Sequence, residues 1–252
     1  MIETNKVFNV KKNHFIDSEW TDNALDPINQ GEVILRIEKF AYTSNNTTYA
    51  VAGDYIGYWK FFPSSKGDDW GIIPCWGFAK VIQSQVDEIK AGEQFYGFFP
   101  MSTHITVQPG QIRADGFTDI VDHRSKLPII YNRYMRCEGD PFYNTDTEAE
   151  QLLFRPLFTT SFLIDYMFQE SNYFEAEQII LTSASSKTAL GLAHCLKNIE
   201  NSKKVIGLTS KGNVDFVKSL GYYDTVLTYE DYQNIEVKAS CIVDFSGNND
   251  LQ

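Results

Sequence analysis

The stretch Gln178 to Leu192, QIILTSASSKTALGL, limits the fold of this chain more than any other: an apolar strand passes through a short loop of small residues directly into a helix. Phosphate groups bind at such junctions, because a helix N-terminus presents free backbone N–H groups and a partial positive charge. Ser183, Ser186 and Ala189 stand three apart, where a dinucleotide-binding loop carries glycines. The backbone can still come close to a ligand there, but left-handed conformations become costly.

Around this junction the pattern alternates. A helix is predicted from Asp146 to about Gln169, a strand over Gln178 to Thr182, a helix over Lys187 to Asn198 and a strand over Lys204 to Leu208. A helix over Asn213 to Leu220 and strands over Thr225 to Leu227 and Ser240 to Phe245 follow. Such alternation predicts an α/β fold with parallel strands and right-handed crossovers, a doubly wound sheet. A full dinucleotide-binding fold has six strands in two halves, and about the first four are found, so the sheet reads as partial and the chain as C-terminally incomplete. Apolar strands left uncovered in this way predict that the chain self-associates into a homo-oligomer or is markedly less stable than a completed form.

Upstream, short β-rich runs at Glu32 to Phe40, Gly77 to Ser84, Gln94 to Phe99 and His104 to Val107 predict an irregular β domain. Between them the aromatic, glycine-punctuated segment Ala52 to Trp76 reads as a lid or edge cover whose rings line a cleft. The mixed segment Ser125 to Asp146 holds the connection, which places domains at 1–145 and 146–252.

The formal charge of −11 and a pI near 4.8 argue against a nucleic-acid surface, so an anionic cofactor must meet positive charge locally. Cys75, Cys137, Cys195 and Cys241 form no CxxC pair, which excludes a zinc knuckle and a redox dithiol. No apolar leader opens the chain, and Leu152 to Phe168 is interrupted by Arg155, Pro156 and Asp165. The expectation is a soluble, cytoplasmic protein with a small-molecule partner, no nucleic acid and no membrane.

Several strings carry a resemblance over nearly the whole chain: GEVILRIEKFAYTSNNTTYAVAGD (Gly31 to Asp54), IPCWGFAKVIQS (Ile73 to Ser84), AGEQFYGFFP (Ala91 to Pro100), LLFRPLFTTSFLIDYMF (Leu152 to Phe168) and LTSASSKTALGLA with VIGLTSKGNVDFVKSLGYYDTVLTYED. Their order resembles the medium-chain dehydrogenase/reductase superfamily, in particular its zinc-free quinone oxidoreductase-like branch. The resemblance implies a GroES-like irregular β-barrel domain followed by a partial Rossmann sheet. It also implies NADPH-dependent, zinc-independent reduction of a quinone or activated enone by hydride transfer. Thr43 and Trp76 stand where zinc-dependent members carry Cys and His ligands, and a catalytic zinc needs three such ligands.

By the same resemblance Asn45, Asn46 and Tyr49 face the substrate and act as catalytic donors to developing enolate charge, with Tyr42 and Tyr55 as substitutes; as residues alone, Asn-Asn-Thr-Thr is an ordinary turn sequence. Ser183, Ser185, Ser186, Lys187 and Thr188 form the candidate phosphate cradle, although Ser and Thr also favour a plain helix cap. Thr209, Ser210 and Lys211 close the second strand. Ser210 lies 21 positions after Ala189, and with no acidic residue there to bind a ribose 2′-OH the expected cofactor is NADP, with Lys211 as counter-charge. His14, His104, His123 and His194 are read as packed or surface residues. Two alternatives stand beside the reductase: a non-catalytic nucleotide-binding or sensor protein, and a degenerate P-loop NTPase suggested by Ser186-Lys187-Thr188 with Cys241 to Asp244, in which Leu181 and Ser186 occupy the glycine positions.

Overall fold

The computed structural model of the chain describes residues 4–199 and 203–247. It divides into two compact units, Met1–Leu153 and Phe154–Gln252.

In the first unit the chain runs β1 (Thr4–Lys11), β2 (His14–Ala24), β3 (Val33–Phe40), α1 (Ser44–Val51), α2 (Gly53–Ile56), β4 (Trp70–Gly71), β5 (Pro74–Ser84), β6 (Gln94–Pro100), β7 (His104–Val107), β8 (Pro109–Arg113), β9 (Gly116–Asp119) and β10 (Arg133–Arg136). Seven strands form one antiparallel sheet in the order β7-β3-β5-β6-β10-β9-β8, and a smaller sheet has the order β2-β1-β4. Residues Phe95 to Pro100 of β6 are all buried, as a central strand covered on both faces requires. Phe78, Phe95, Phe98, Phe99, Phe117 and Tyr134 are fully enclosed, so aromatic area supplies much of this core.

The four expected runs are strands here. Six strands were not expected: β1 and β2, which form a hairpin, the short β4, β8 and β9, and β10, which lies inside the segment read as a connection. In β10 only Tyr134 is buried, and arginines stand at both ends of the four-residue strand, so its sequence carries little apolar signal. Much of the segment Ala52 to Trp76 packs into the core rather than lying over it as a lid. Tyr58, Trp59, Phe61, Phe62, Ile72 and Ile73 belong to the core, because burying that much aromatic surface outweighs exposing it. Trp59 lies against Gly53 and Gly71 so closely that a Cβ at either glycine would overlap the indole ring.

Helix α3 (Glu148–Glu170) carries the chain into the second unit, which continues β11 (Gln178–Leu181), α4 (Lys187–Lys197), β12 (Lys204–Thr209), α5 (Val214–Ser219), β13 (Thr225–Thr228) and β14 (Ser240–Val243). All four strands are parallel, in the order β13-β12-β11-β14. Helix α4 buries Ala189, Leu192, Ala193 and Leu196, the i, i+3, i+4, i+7 face that packs on a sheet. Gly191 admits Ser161 of α3, whose hydroxyl donates to the Thr188 carbonyl at 2.7 Å. Between α3 and β11, Asn172, Tyr173, Phe174 and Glu175 form a left-handed turn with φ of 46°, 53°, 51° and 62°. Buried Tyr173 pins it by stacking on Phe168, with ring centroids 6.1 Å apart.

Candidate functional site

In the second unit β12 and β14 flank β11, so the strand order reverses at the carboxyl end of β11, where parallel α/β sheets bind their ligands. The loop there adopts the backbone a glycine would ease. Ser183 has φ 49°, in the left-handed region, and its N–H donates to the Tyr229 hydroxyl at 2.9 Å. The Ser186 N–H donates to the Ser183 carbonyl at 2.7 Å, and Ser186 Oγ accepts the Ala189 N–H at 3.3 Å as the cap of α4. Ser186 is therefore a helix cap. The N–H groups of Lys187 and Thr188 have no acceptor among the described residues, and the Lys187 side chain is exposed. Free donors, a helix terminus and a cation together fit a phosphate.

At the end of β12 four polar side chains gather. Asn213 Nδ2 donates to Ser185 Oγ at 3.0 Å and to Ser210 Oγ at 3.1 Å, while Thr209 Oγ1 lies 3.5 Å from Ser185 Oγ. Lys211 extends, exposed, from the next turn. Asn213, Tyr223 and Tyr229 were missed by sequence reasoning. Tyr223 Oη donates to the Ala184 carbonyl at 2.9 Å beneath Gly207, and burial pushes its phenol well up. Only the GYYD and LTYED strings after the second strand hinted at these phenols. The acid of the P-loop alternative is engaged locally: Asp244 Oδ1 accepts from Thr182 Oγ1 at 2.5 Å and from the Ser246 N–H at 2.8 Å.

In the first unit the expected loop Asn45 to Tyr49 is helical. Thr43 caps α1, its Oγ1 accepting the Asn45 N–H at 3.3 Å. Asn46 completes a capping box, accepting the Thr43 N–H at 2.7 Å and donating to the Pro74 carbonyl at 2.9 Å. Buried and doubly bonded, Asn46 holds the helix in place. Asn45 is half-buried on the same helix. Tyr49 meets a ring cluster: Tyr58 at 4.7 Å, Phe98 at 5.6 Å, and Trp76, whose Nε1–H donates to the Tyr49 hydroxyl at 3.3 Å. Tyr58 and Tyr131 share a hydrogen bond at 2.9 Å, and Trp76 stacks on Tyr96. Burial pushes the Tyr49 phenol up to about 12 and the Tyr58 phenol higher still, so both stay protonated at neutral pH. Because an indole N–H only donates, the Tyr49 O–H is left to donate elsewhere. Tyr42 and Tyr55 are exposed, outside this cluster.

Thr43 and Trp76 thus cap a helix and orient a phenol. Among the described residues no three His, Cys, Asp or Glu side chains converge to hold a metal ion, and no helix is long and apolar enough to cross a membrane.

The model of a family described as Protein of unknown function (DUF2855) matches residues 40–252. This chain belongs to the DUF2855 family. No curated protein matches it in sequence. Among solved structures, CurA from Vibrio vulnificus superposes with a TM-score of 0.59 at 12% identity, over 91% of this chain and 59% of that one. A quinone oxidoreductase from Coxiella burnetii gives 0.55 at 12% identity, over 98% and 70%. A mutant enoyl thioester reductase from Candida tropicalis gives 0.52 at 16% identity, over 91% and 62%. The likeness shows the fold alone, a mixed α/β chain with a curled antiparallel sheet and a parallel sheet. This DUF2855 chain spans about 59% of the length of CurA.

Proposed function

We propose that this chain binds NADPH at the carboxyl edge of its parallel sheet and serves a zinc-independent reductase that acts on a quinone or activated enone. In this reading residues 1–145 form a GroES-like domain of the zinc-free quinone oxidoreductase-like branch, and residues 146–252 a partial Rossmann domain. The observation that carries it is the β11–α4 junction, where the Lys187 and Thr188 N–H groups lack acceptors among the described residues beside an exposed lysine. The pyrophosphate would rest on those N–H groups with Lys187 as its counter-charge. Ser185, Thr209, Ser210 and Asn213 would hold the ribose, and Lys211 its 2′-phosphate.

When bound, NADPH supplies the hydride. The protein's own contribution is a proton donor and a dry surface. The Tyr49 hydroxyl, kept neutral by burial and turned by the Trp76 indole, donates to the oxygen on which charge develops. Asn45 is a second donor on the same helix, and Asn46 acts only by holding that helix.

A second reading, a protein that holds the nucleotide without turnover, is favoured by one observation: capping consumes Asn46, one of the three candidate catalytic donors. Calorimetric titration with NADPH and NADH, followed by turnover assays on a quinone and enone panel with wild type and Tyr49→Phe, separates them. Binding with turnover that falls in Tyr49→Phe supports the reductase. Tight binding with no turnover supports the holder, and no binding removes both.

A further inference from the structure

A cavity of about 220 Å³ opens entirely within the first unit, and none of the residues proposed above to meet cofactor or substrate lines it. It is roughly seven waters in size at about 30 Å³ each, enough for a small organic molecule. Val7, Phe61 and Phe62 form an apolar side. Asn5, Asn23 and Arg124 supply donors, and no carboxylate lines the cavity among the described residues.

Arg124 is the unusual member. It is 1% exposed, lies over the Phe62 ring at 5.0 Å, donates through Nη1 to the Tyr134 hydroxyl at 3.3 Å and pairs through Nη2 with Asp119. Asp119 in turn accepts the Gln108 and Val121 N–H groups at 3.0 and 3.1 Å, so its charge is spread over several donors. The Nε–H of Arg124 has no acceptor among the described residues. A buried guanidinium donor left unpaired is costly, and a ligand oxygen removes that cost. Asn5 points the same way, since its Oδ1 accepts the His104 N–H at 3.0 Å and only its amide hydrogens remain to donate.

We propose that this cavity binds a small carboxylate with an apolar body, the carboxylate meeting the Asn5 amide and drawing the enclosed Arg124 Nε–H toward it by a shift of that side chain, while the body packs on Phe61, Phe62 and Val7. An excess of donors on one side and rings on the other selects such an amphipathic anion over a sugar or an inorganic ion. The site is independent of the nucleotide reading.

Nitrogen–proton correlation NMR on the full chain tests this, with the Arg124 Nε–H resonance assigned by its through-space contacts to Phe62 and Tyr134. Benzoate is expected to shift that resonance saturably and to bind about tenfold more tightly than neutral benzamide, the ratio expected from one charge-assisted hydrogen bond. Inorganic phosphate, which lacks the apolar body, is expected to bind more weakly than benzoate. Ser65 lies exposed on the rim, and Ser65→Trp is expected to abolish the benzoate shift without touching the core. An unshifted resonance, equal binding of benzamide, phosphate binding as well as benzoate, or undiminished binding in Ser65→Trp would each overturn the assignment.

Discussion

The Tyr229 hydroxyl sits 2.9 Å from the Ser183 nitrogen, on a donor that a dinucleotide-binding loop would offer to a phosphate. Removing that hydroxyl with Tyr229→Phe should therefore affect stability and cofactor affinity in opposite directions. A single hydrogen bond of this kind contributes about 0.5 to 1.5 kcal/mol net, so the variant should lose that much stability in urea unfolding. If NADPH must displace the phenol to reach the Ser183 N–H, the same bond no longer opposes binding in the variant. Its dissociation constant should then fall by about 2- to 10-fold. The two changes come from one bond and should agree in magnitude, which calorimetric titration beside urea unfolding can test. Destabilisation with unchanged or weaker NADPH binding would show that Ser183 is not a cofactor donor and that the phenol has only a structural role.

Replacing Lys211 by Glu should weaken NADPH binding by about 10- to 100-fold, the cost of turning one charge-assisted contact into repulsion, and leave NADH binding nearly unchanged; equal losses in parallel titrations would remove the 2′-phosphate assignment. Glu175→Gly should stabilise the chain by about 0.5 to 1 kcal/mol, because relief of a left-handed residue worth 1–2 kcal/mol outweighs the extra entropy glycine loses on folding. An unchanged urea midpoint would mean the turn carries no strain. Tyr49 and Tyr134 have phenols raised by burial from 10.0 to about 12, so folding favours their neutral forms. Their contribution is fully present below pH 10 and is lost as pH rises through 12; unfolding midpoints that stay flat over that window would contradict it.

The parallel sheet was legible because its signals are local. Apolar runs such as QIIL and VIGL are separated by a helix whose buried face follows from spacing alone, and β11, α4 and β12 fall within a residue or so of expectation. Strand β10 and the β1–β2 hairpin were not legible, since their apolar content is low and their place is fixed by partners distant in sequence. The candidate site was legible only in outline. The motif put Ser183 to Thr188 at a helix start, but residue type could not separate Ser186 as a cap from a ligand donor, because both roles use the same oxygen. Nor could it show that Asn46 would be spent on Thr43 and Pro74, or that two phenols from β13's side of the sheet, Tyr223 and Tyr229, would bond to the loop. Such contacts depend on register and side-chain reach, which emerge only when the chain closes on itself.

One indole fills the space beside two glycines that lie eighteen positions apart, Gly53 and Gly71. Neither glycine can drift alone. Enlarging either glycine is tolerable only in a background where Trp59 has first become smaller, and such a shrunken ring would leave room that both glycine sites could then fill. The two glycines are therefore expected to change among DUF2855 members only where the tryptophan has changed, so that a sequence bearing a side chain at one glycine position and still carrying the tryptophan would mark a relative in which the segment between β3 and β5 follows a different course.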